Sequence, residues 1–497
     1  MQPWQVYLAV GLYLTVTTLL ALAVRRGMGH GVEDYFLANR RLGGVISALS
    51  YSATTYSAFM MVGLAGLTYK GGVGALGFEL IYLSGLMLVA FFGPRFWLAG
   101  RKFHIVSPTE LLAIRYDSRT LGALAALAAM VFLIPYSSVQ LLGIAYLLEE
   151  LTQGAIPFVA GLTIAAVVSL VWALAGGLRS VAWTDAFQAL LMMVAALLAV
   201  GYALASLGGP ALFVERLARQ WPEWLSVPGG EGYFQFSTFL GLSLPWFFFS
   251  LSNPQVAQRM FTPRSLKSLR RMLLGFLCFG LVYTLVSVTW GFVARLEFTD
   301  LANPDLATPT LLKSGIVPPF VALLAMLGIM AAAISTIDSI LLTLASMLAR
   351  DVYRGLRPKA PEEAELQVGK WVIPVLTLMA FLFARMKLNL IALLSVASSA
   401  GLLVLVPPTI GAFFWRRGTA AGANAAIIIA GLTVVWLQFR HPVWLGQWPG
   451  VWGLIISTLV FLAVSLVTRA PEERARQFID ELNDSLREHR RAAACLR

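Results

Sequence analysis

Thirteen stretches of this chain are apolar over lengths that can cross a bilayer as a helix, and that alone leaves little but a polytopic membrane protein. They run over 4–24, 43–68, 71–97, 119–148, 155–175, 180–206, 234–253, 272–294, 316–349, 371–386, 388–414, 418–438 and 448–468. The first lacks a basic segment ahead of it and a small-residue cleavage site, so a true span is expected rather than a signal peptide. Only 12% of the 497 residues are charged, too few to coat a soluble protein of this size. An ordinary cytosolic enzyme, a disordered chain and a disulfide-stapled domain are all excluded.

Orientation follows from the basic residues, which collect in cytoplasmic loops. Thirteen spans split the remainder into alternating sets, and 29 of the 37 Lys and Arg fall in one of them. That set includes the C-terminal tail and the loop carrying Arg259 and Arg264. The N-terminus is therefore expected outside and the C-terminus in the cytoplasm, in a multi-pass protein of the cell's inner (plasma) membrane. The net charge of +12 lies in short loops between spans, so nucleic acid is not an expected partner. No glycine-rich phosphate loop is visible, so no nucleotide is expected either. Two Cys and four scattered His offer no disulfide framework or ligand spacing. The external loop 207–233 has room for a short interfacial helix. The tail, 471–497, reads as an amphipathic helix with Phe478, Leu482 and Leu486 on one face, expected to be solvated or on the membrane surface.

Two spans carry signs of interruption. Five of the eight residues from Ser50 to Ser57 are Ser or Thr, and the seventh span contains Pro245 and Pro254. Proline removes a donor and clashes one turn back, so Pro245 is expected to open that helix. Transporters place ions and solutes where helices break near the midplane. The two spans lie five apart, which suggests two five-helix repeats, each starting with a broken helix. The alternative is that the hydroxyls bond back to the preceding turn of unbroken helices.

Several stretches resemble the sodium:solute symporter family. The most specific is Gly176-Gly-Leu-Arg-Ser-Val-Ala-Trp-Thr-Asp-Ala-Phe-Gln188, followed by Ala331-Ala-Ala-Ile-Ser-Thr-Ile-Asp-Ser339. Asp34 to Gly43 and Ala349 to Arg354 are also similar, and the likeness runs over roughly residues 5–470. The family includes proline, pantothenate, sialic acid, monocarboxylate and sugar symporters. The resemblance implies an all-α integral membrane protein of the leucine-transporter fold, with inverted five-helix repeats and discontinuous helices. The domains expected are 1–42 (first span and cytoplasmic loop), 43–206 (first repeat), 207–414 (external loop and second repeat), 415–470 (two further spans) and 471–497 (tail).

Ala332, Ser335, Thr336 and Ser339 share one helical face, and hydroxyls and an approachable carbonyl suit a sodium ion. Small-residue packing between helices is the alternative. The resemblance implies a main sodium site made of the Ala53, Tyr56 and Ala332 carbonyls with the Ser335 and Thr336 hydroxyls. Some family members have an aspartate where this chain has Thr55. Intramembrane carboxylates are costly and therefore functional candidates, which singles out Asp185 and Asp338. In the family's sialic acid symporters the positions matching Asp185, Ser335, Asp338 and Ser339 form a second sodium site, with serine where Asp338 stands here. Asp338 would then hold a second sodium or carry a proton, the second sodium being preferred. A helix-end cap is the alternative role for Asp185.

For the solute the expected residues are Thr55, Ser57, Phe59, Glu79, Tyr82, Tyr136, Gln140 and Trp246. Trp246 and Tyr136 resemble aromatic positions of the proline symporters, and Glu79 a sugar-binding glutamate of the sugar symporters. A carboxylate in an apolar span favours a hydroxylated, zwitterionic or cationic solute over a bare anion. The function expected is secondary active uptake of a small organic solute, driven by co-transported sodium. A monocarboxylate or pantothenate symporter is the alternative. A solute sensor on a transporter scaffold is a second class, against which no kinase domain follows Thr468. A membrane enzyme is not expected, because no nucleophile–base pair is visible. The oligomeric state is left open, a monomer included.

Overall fold

In hydrocarbon every backbone N–H and C=O must be satisfied within the chain, which restricts a lipid-spanning protein to helices or closed barrels. A computed structural model, which describes residues 3–25, 31–386 and 391–495, adopts the first solution. Its regular elements are helices, joined by only two isolated bridges among the described residues. Among the described residues, ten helices are long and apolar enough to cross a membrane. Several follow the apolar stretches closely, for example Pro3–Arg25, Ala420–Arg440 and Pro449–Val467, whereas Glu362–Ala384 begins well ahead of the expected 371 and Pro319–Leu356 runs past the expected 349. The start of the 388–414 stretch lies outside the described residues.

One of the ten, Phe158–Ser206, is 49 residues long and covers two of the expected stretches. Its two halves meet at Gly177, whose φ of 51° and ψ of −169° suit only glycine.

Two further helical stretches, each about long enough for a crossing, are discontinuous. The first runs Gly44–Thr55 and then leaves the helical region at Tyr56, with φ −87° and ψ 98°. It resumes over Phe59–Leu64 and Ala65–Gly71. The restart would leave amide donors orphaned. Gln140 Oε1 accepts from the Ala58 N–H at 3.2 Å, and Ser57 Oγ from the Phe59 N–H at 3.1 Å. Back-bonding does occur beside the break: Ser52 donates to the Ala48 carbonyl and Thr55 to the Tyr51 carbonyl.

The second comprises Phe236–Phe247, Phe249–Ser252 and Pro254–Arg259. Here the expectation needs correcting, because Pro245 lies inside a helix that continues two residues past it. A proline so near a helix end forfeits a single ladder bond, whereas the residue before a proline is forced out of the α region. Accordingly Asn253, before Pro254, is the extended residue, with φ −94° and ψ 109°. The two interrupted crossings meet at one end: Leu42 bridges Pro263, and the Arg264 N–H donates to the Leu42 carbonyl at 3.0 Å.

The loop 207–233, expected to be external, contains the helix Pro210–Gln220. It is pinned beyond that helix by Trp224, which donates to the Tyr69 carbonyl and accepts from Val73. The tail is a helix, Glu472–Cys495, but it does not stand in solvent. Phe478, Ile479, Leu482 and Leu486 are buried, and Phe478 stacks on Phe103 with ring centroids 4.8 Å apart. Lys102 and Arg416 pair with Glu481 and Asp480. The apolar face found a protein groove rather than lipid.

Candidate functional site

Four of the five expected sodium ligands converge where the first crossing breaks. Ser335 Oγ lies 2.9 Å from the Ala53 carbonyl oxygen and 3.0 Å from that of Ala332. Thr336 Oγ1 is 3.3 Å from Ala53 O, 3.4 Å from Thr54 O and 3.0 Å from Ala332 O. All four residues are fully buried. The hydroxyls now donate to the carbonyls, and rotating their hydrogens away would turn every one of these oxygens toward a cation. Among the described residues no hydrogen bond joins the Tyr56 carbonyl to this group. The Tyr56 ring instead stacks on Phe276 and Phe279.

One turn along Pro319–Met347 lies a second cluster. Asp185 is wholly buried, eight residues beyond Gly177, and accepts from Ser50 Oγ at 2.7 Å. It is therefore no helix-end cap. Its partner is Arg259, whose guanidinium is 3.1 Å from Asp185 Oδ2, 2.6 Å from Ser339 Oγ and 3.1 Å from Thr54 Oγ1. Arg259 is only 2% exposed, so it is not the loop charge that the orientation argument took it for. It continues the helix begun at Pro254, and that short helix turns it inward. A positive charge thus occupies the place where the sequence suggested a second sodium. Ser335 bonds to the first cluster instead, and Asp338 Oδ1 is buried with no hydrogen-bond partner.

Between the two breaks lies a narrow cavity. Of the eight residues expected to contact solute, six line it: Thr55, Phe59, Glu79, Tyr82, Tyr136 and Trp246. Ser57 and Gln140 do not, since their side chains hold the amides of the break. The Tyr56 side chain, Met60 and Phe249 complete the wall. Phe249 was missed, although it lies three residues after Trp246 and so on the same side of the chain; their rings are 5.2 Å apart. Glu79 is 0% exposed, and neither carboxylate oxygen has a hydrogen-bond partner. The Trp246 indole is the neighbouring donor but falls short of hydrogen-bond geometry.

The model of the sodium:solute symporter family matches residues 35–430. The sodium/pantothenate symporter of Escherichia coli (strain K12) is 28% identical over 448 residues, spanning 88% of this chain and 91% of that protein. The sodium/proline symporter of the same strain is 27% identical over 463 residues, spanning 88% of each. Among solved structures, an outward-open, substrate-bound sodium-coupled sialic acid symporter superposes with a TM-score of 0.79 at 21% identity. The match covers 94% of this chain and 98% of that one. A nucleobase-cation-symport-1 family transporter in a closed conformation gives 0.56 at 15%, covering 90% and 98%.

Proposed function

The chain belongs to the sodium:solute symporter family, and from that premise we propose that it draws a small organic solute inward by alternating access, with sodium as the co-transported ion. The observation that carries this is the group of four oxygens from Ala53, Ala332, Ser335 and Thr336. A cation there would tie the first broken helix to Pro319–Met347, and its loss would free the two to move apart. One charge falling through 100 mV yields about 2.3 kcal/mol, and a tenfold sodium gradient adds about 1.4. At one sodium per solute that supports roughly 500-fold accumulation of a neutral solute.

The 49-residue helix, counted as two crossings at Gly177, and each discontinuous crossing, counted as one, bring the total to thirteen. The N-terminus then lies outside and the tail in the cytoplasm of the plasma membrane, in keeping with the basic loops. Residues 43–206 and 207–414 form the two inverted repeats. This reading is supported by the pairing of Leu42 with Pro263, which joins the start of one broken crossing to the end of the other. The cavity carboxylate favours a hydroxylated, zwitterionic or cationic solute. Similarity to pantothenate symporters favours a second reading, a solute bearing a carboxylate.

Sodium-dependent uptake into proteoliposomes tests the core of this. Ser335→Ala and Thr336→Ala each remove one hydroxyl ligand and leave the helix intact. Apparent sodium affinity should fall about tenfold or more in each, about 1.4 kcal/mol. Unaltered sodium dependence in both, with normal membrane insertion, would reject the site.

A further inference from the structure

Resting on the symport reading, we propose that the cavity between the two breaks takes a small organic ammonium cation without a carboxylate, held by Glu79 and the faces of the surrounding aromatic rings. The observations are three. First, Glu79 is fully buried, and both of its oxygens lack hydrogen-bond partners. It is the one charged residue lining the cavity, and no Lys or Arg faces it there among the described residues. A buried carboxylate left unpaired is costly, and an arriving ammonium removes that cost.

Second, six of the nine lining residues are aromatic. Trp246 lies 5.3 Å from Phe59 and 5.2 Å from Phe249, centroid to centroid, and Tyr82 lies 5.8 Å from Phe249. A ring that turns its face to the space offers it negative charge, and this is how quaternary ammonium groups are recognised.

Third, the start of the second half-helix is no seat for an anion. The restarted half-helix would offer one through its free amides. Those amides are already taken, Ala58 by Gln140 and Phe59 by Ser57.

The test is equilibrium binding to the purified full chain, in sodium and in potassium. The probes are choline and n-butylammonium as cations, 3,3-dimethylbutanol as the uncharged isostere of choline, and glycine betaine, proline and pantothenate as carboxylates. At least one cation should bind in sodium, and the uncharged isostere and the carboxylates should bind about tenfold more weakly or worse. Glu79→Gln should abolish that preference for charge. Trp246→Leu should weaken the cation about tenfold while Trp246→Phe retains most of the affinity, which covers the case of Glu79→Gln failing to fold. Failure of both cations overturns the proposal. So does binding of the isostere, betaine, proline or pantothenate as tight as theirs. If a carboxylate or the isostere binds instead, and only in sodium, the ammonium assignment falls and the symport reading stands. A cation bound equally well in sodium and potassium keeps the assignment and overturns the symport reading.

Discussion

Arg259 changes the meaning of the carboxylates around it. Two neighbouring negative groups in low dielectric need a positive charge, and sodium was the candidate the sequence offered. The guanidinium supplies that charge from within the chain, bonded at once to Asp185, Ser339 and Thr54. Removing one partner of a buried pair strands the other, so Arg259→Gln should cost about 3–5 kcal/mol in thermal or chemical unfolding. Adding Asp185→Asn should recover part of that loss, and additive costs in the double variant would show that the two side chains do not act as a pair. With Arg259 in place we expect one sodium per solute from the reversal potential. Two per solute, falling to one in Asp338→Asn, would restore a second sodium beside Asp338. If Asp338 carries a proton instead, the transport rate depends on pH in the parent chain and loses that dependence in Asp338→Asn.

At the scale of the element, helices break where they are given an alternative set of partners. The first crossing opens at Tyr56 because Gln140, on a neighbouring helix, and Ser57 take over the freed amides. Gln140→Leu would leave the Ala58 N–H buried and unpaired, a penalty of about 1–3 kcal/mol. It should weaken solute binding by distorting the cavity wall at Tyr56 and Phe59, with less effect on the sodium cage one turn away. Equal loss of both affinities would argue that Gln140 supports the whole bundle rather than the break. The bend at Gly177 is a second element-level requirement, since its backbone angles exclude a Cβ at little more than the strain cost of about 1–3 kcal/mol. Gly177→Ala should therefore lower stability by that order and misplace Asp185. A normal melting temperature in that variant would remove the argument.

Across the whole molecule, the face that the tail covers is laced by charges from distant segments. Glu365, fully buried, accepts from Arg350 and Arg354, and Arg350 also pairs with Glu110 at 2.7 Å. The tail helix lies over this face, and Arg474 reaches the Ile114 carbonyl at 3.0 Å. These contacts join parts that alternating access would have to separate. Phe478→Ala removes the ring seated between Phe103 and Phe413, a loss of about 3–5 kcal/mol if the site cannot collapse. That exceeds what a single surface helix retains, so the tail should undock. Limited proteolysis should then cut between residues 468 and 480 far faster, with sodium-dependent binding preserved. Protection equal to that of the parent chain would mean that the ion pairs at Lys102 and Arg416 hold the tail unaided.

How much of this was legible in the residues follows from the range of the forces involved. Apolar length, hydroxyls three, four and seven residues past Ala332, and a signature around two adjacent glycines are local, so the apolar spans, the helical class and the Ser335–Thr336 face could be read directly from the chain. Glu79 could be picked out because a carboxylate in an apolar run is costly wherever it folds. What the sequence left undecided was pairing. Arg259 looked like a loop charge until the helix begun at Pro254 turned it toward a carboxylate 74 residues away. Gln140 looked like a solute ligand until an amide 82 residues away claimed it. The tail's apolar stripe suited lipid or protein alike. In each case the free energy is set by whichever partner the crossing helices bring within about 3 Å, and only the tertiary structure decides that.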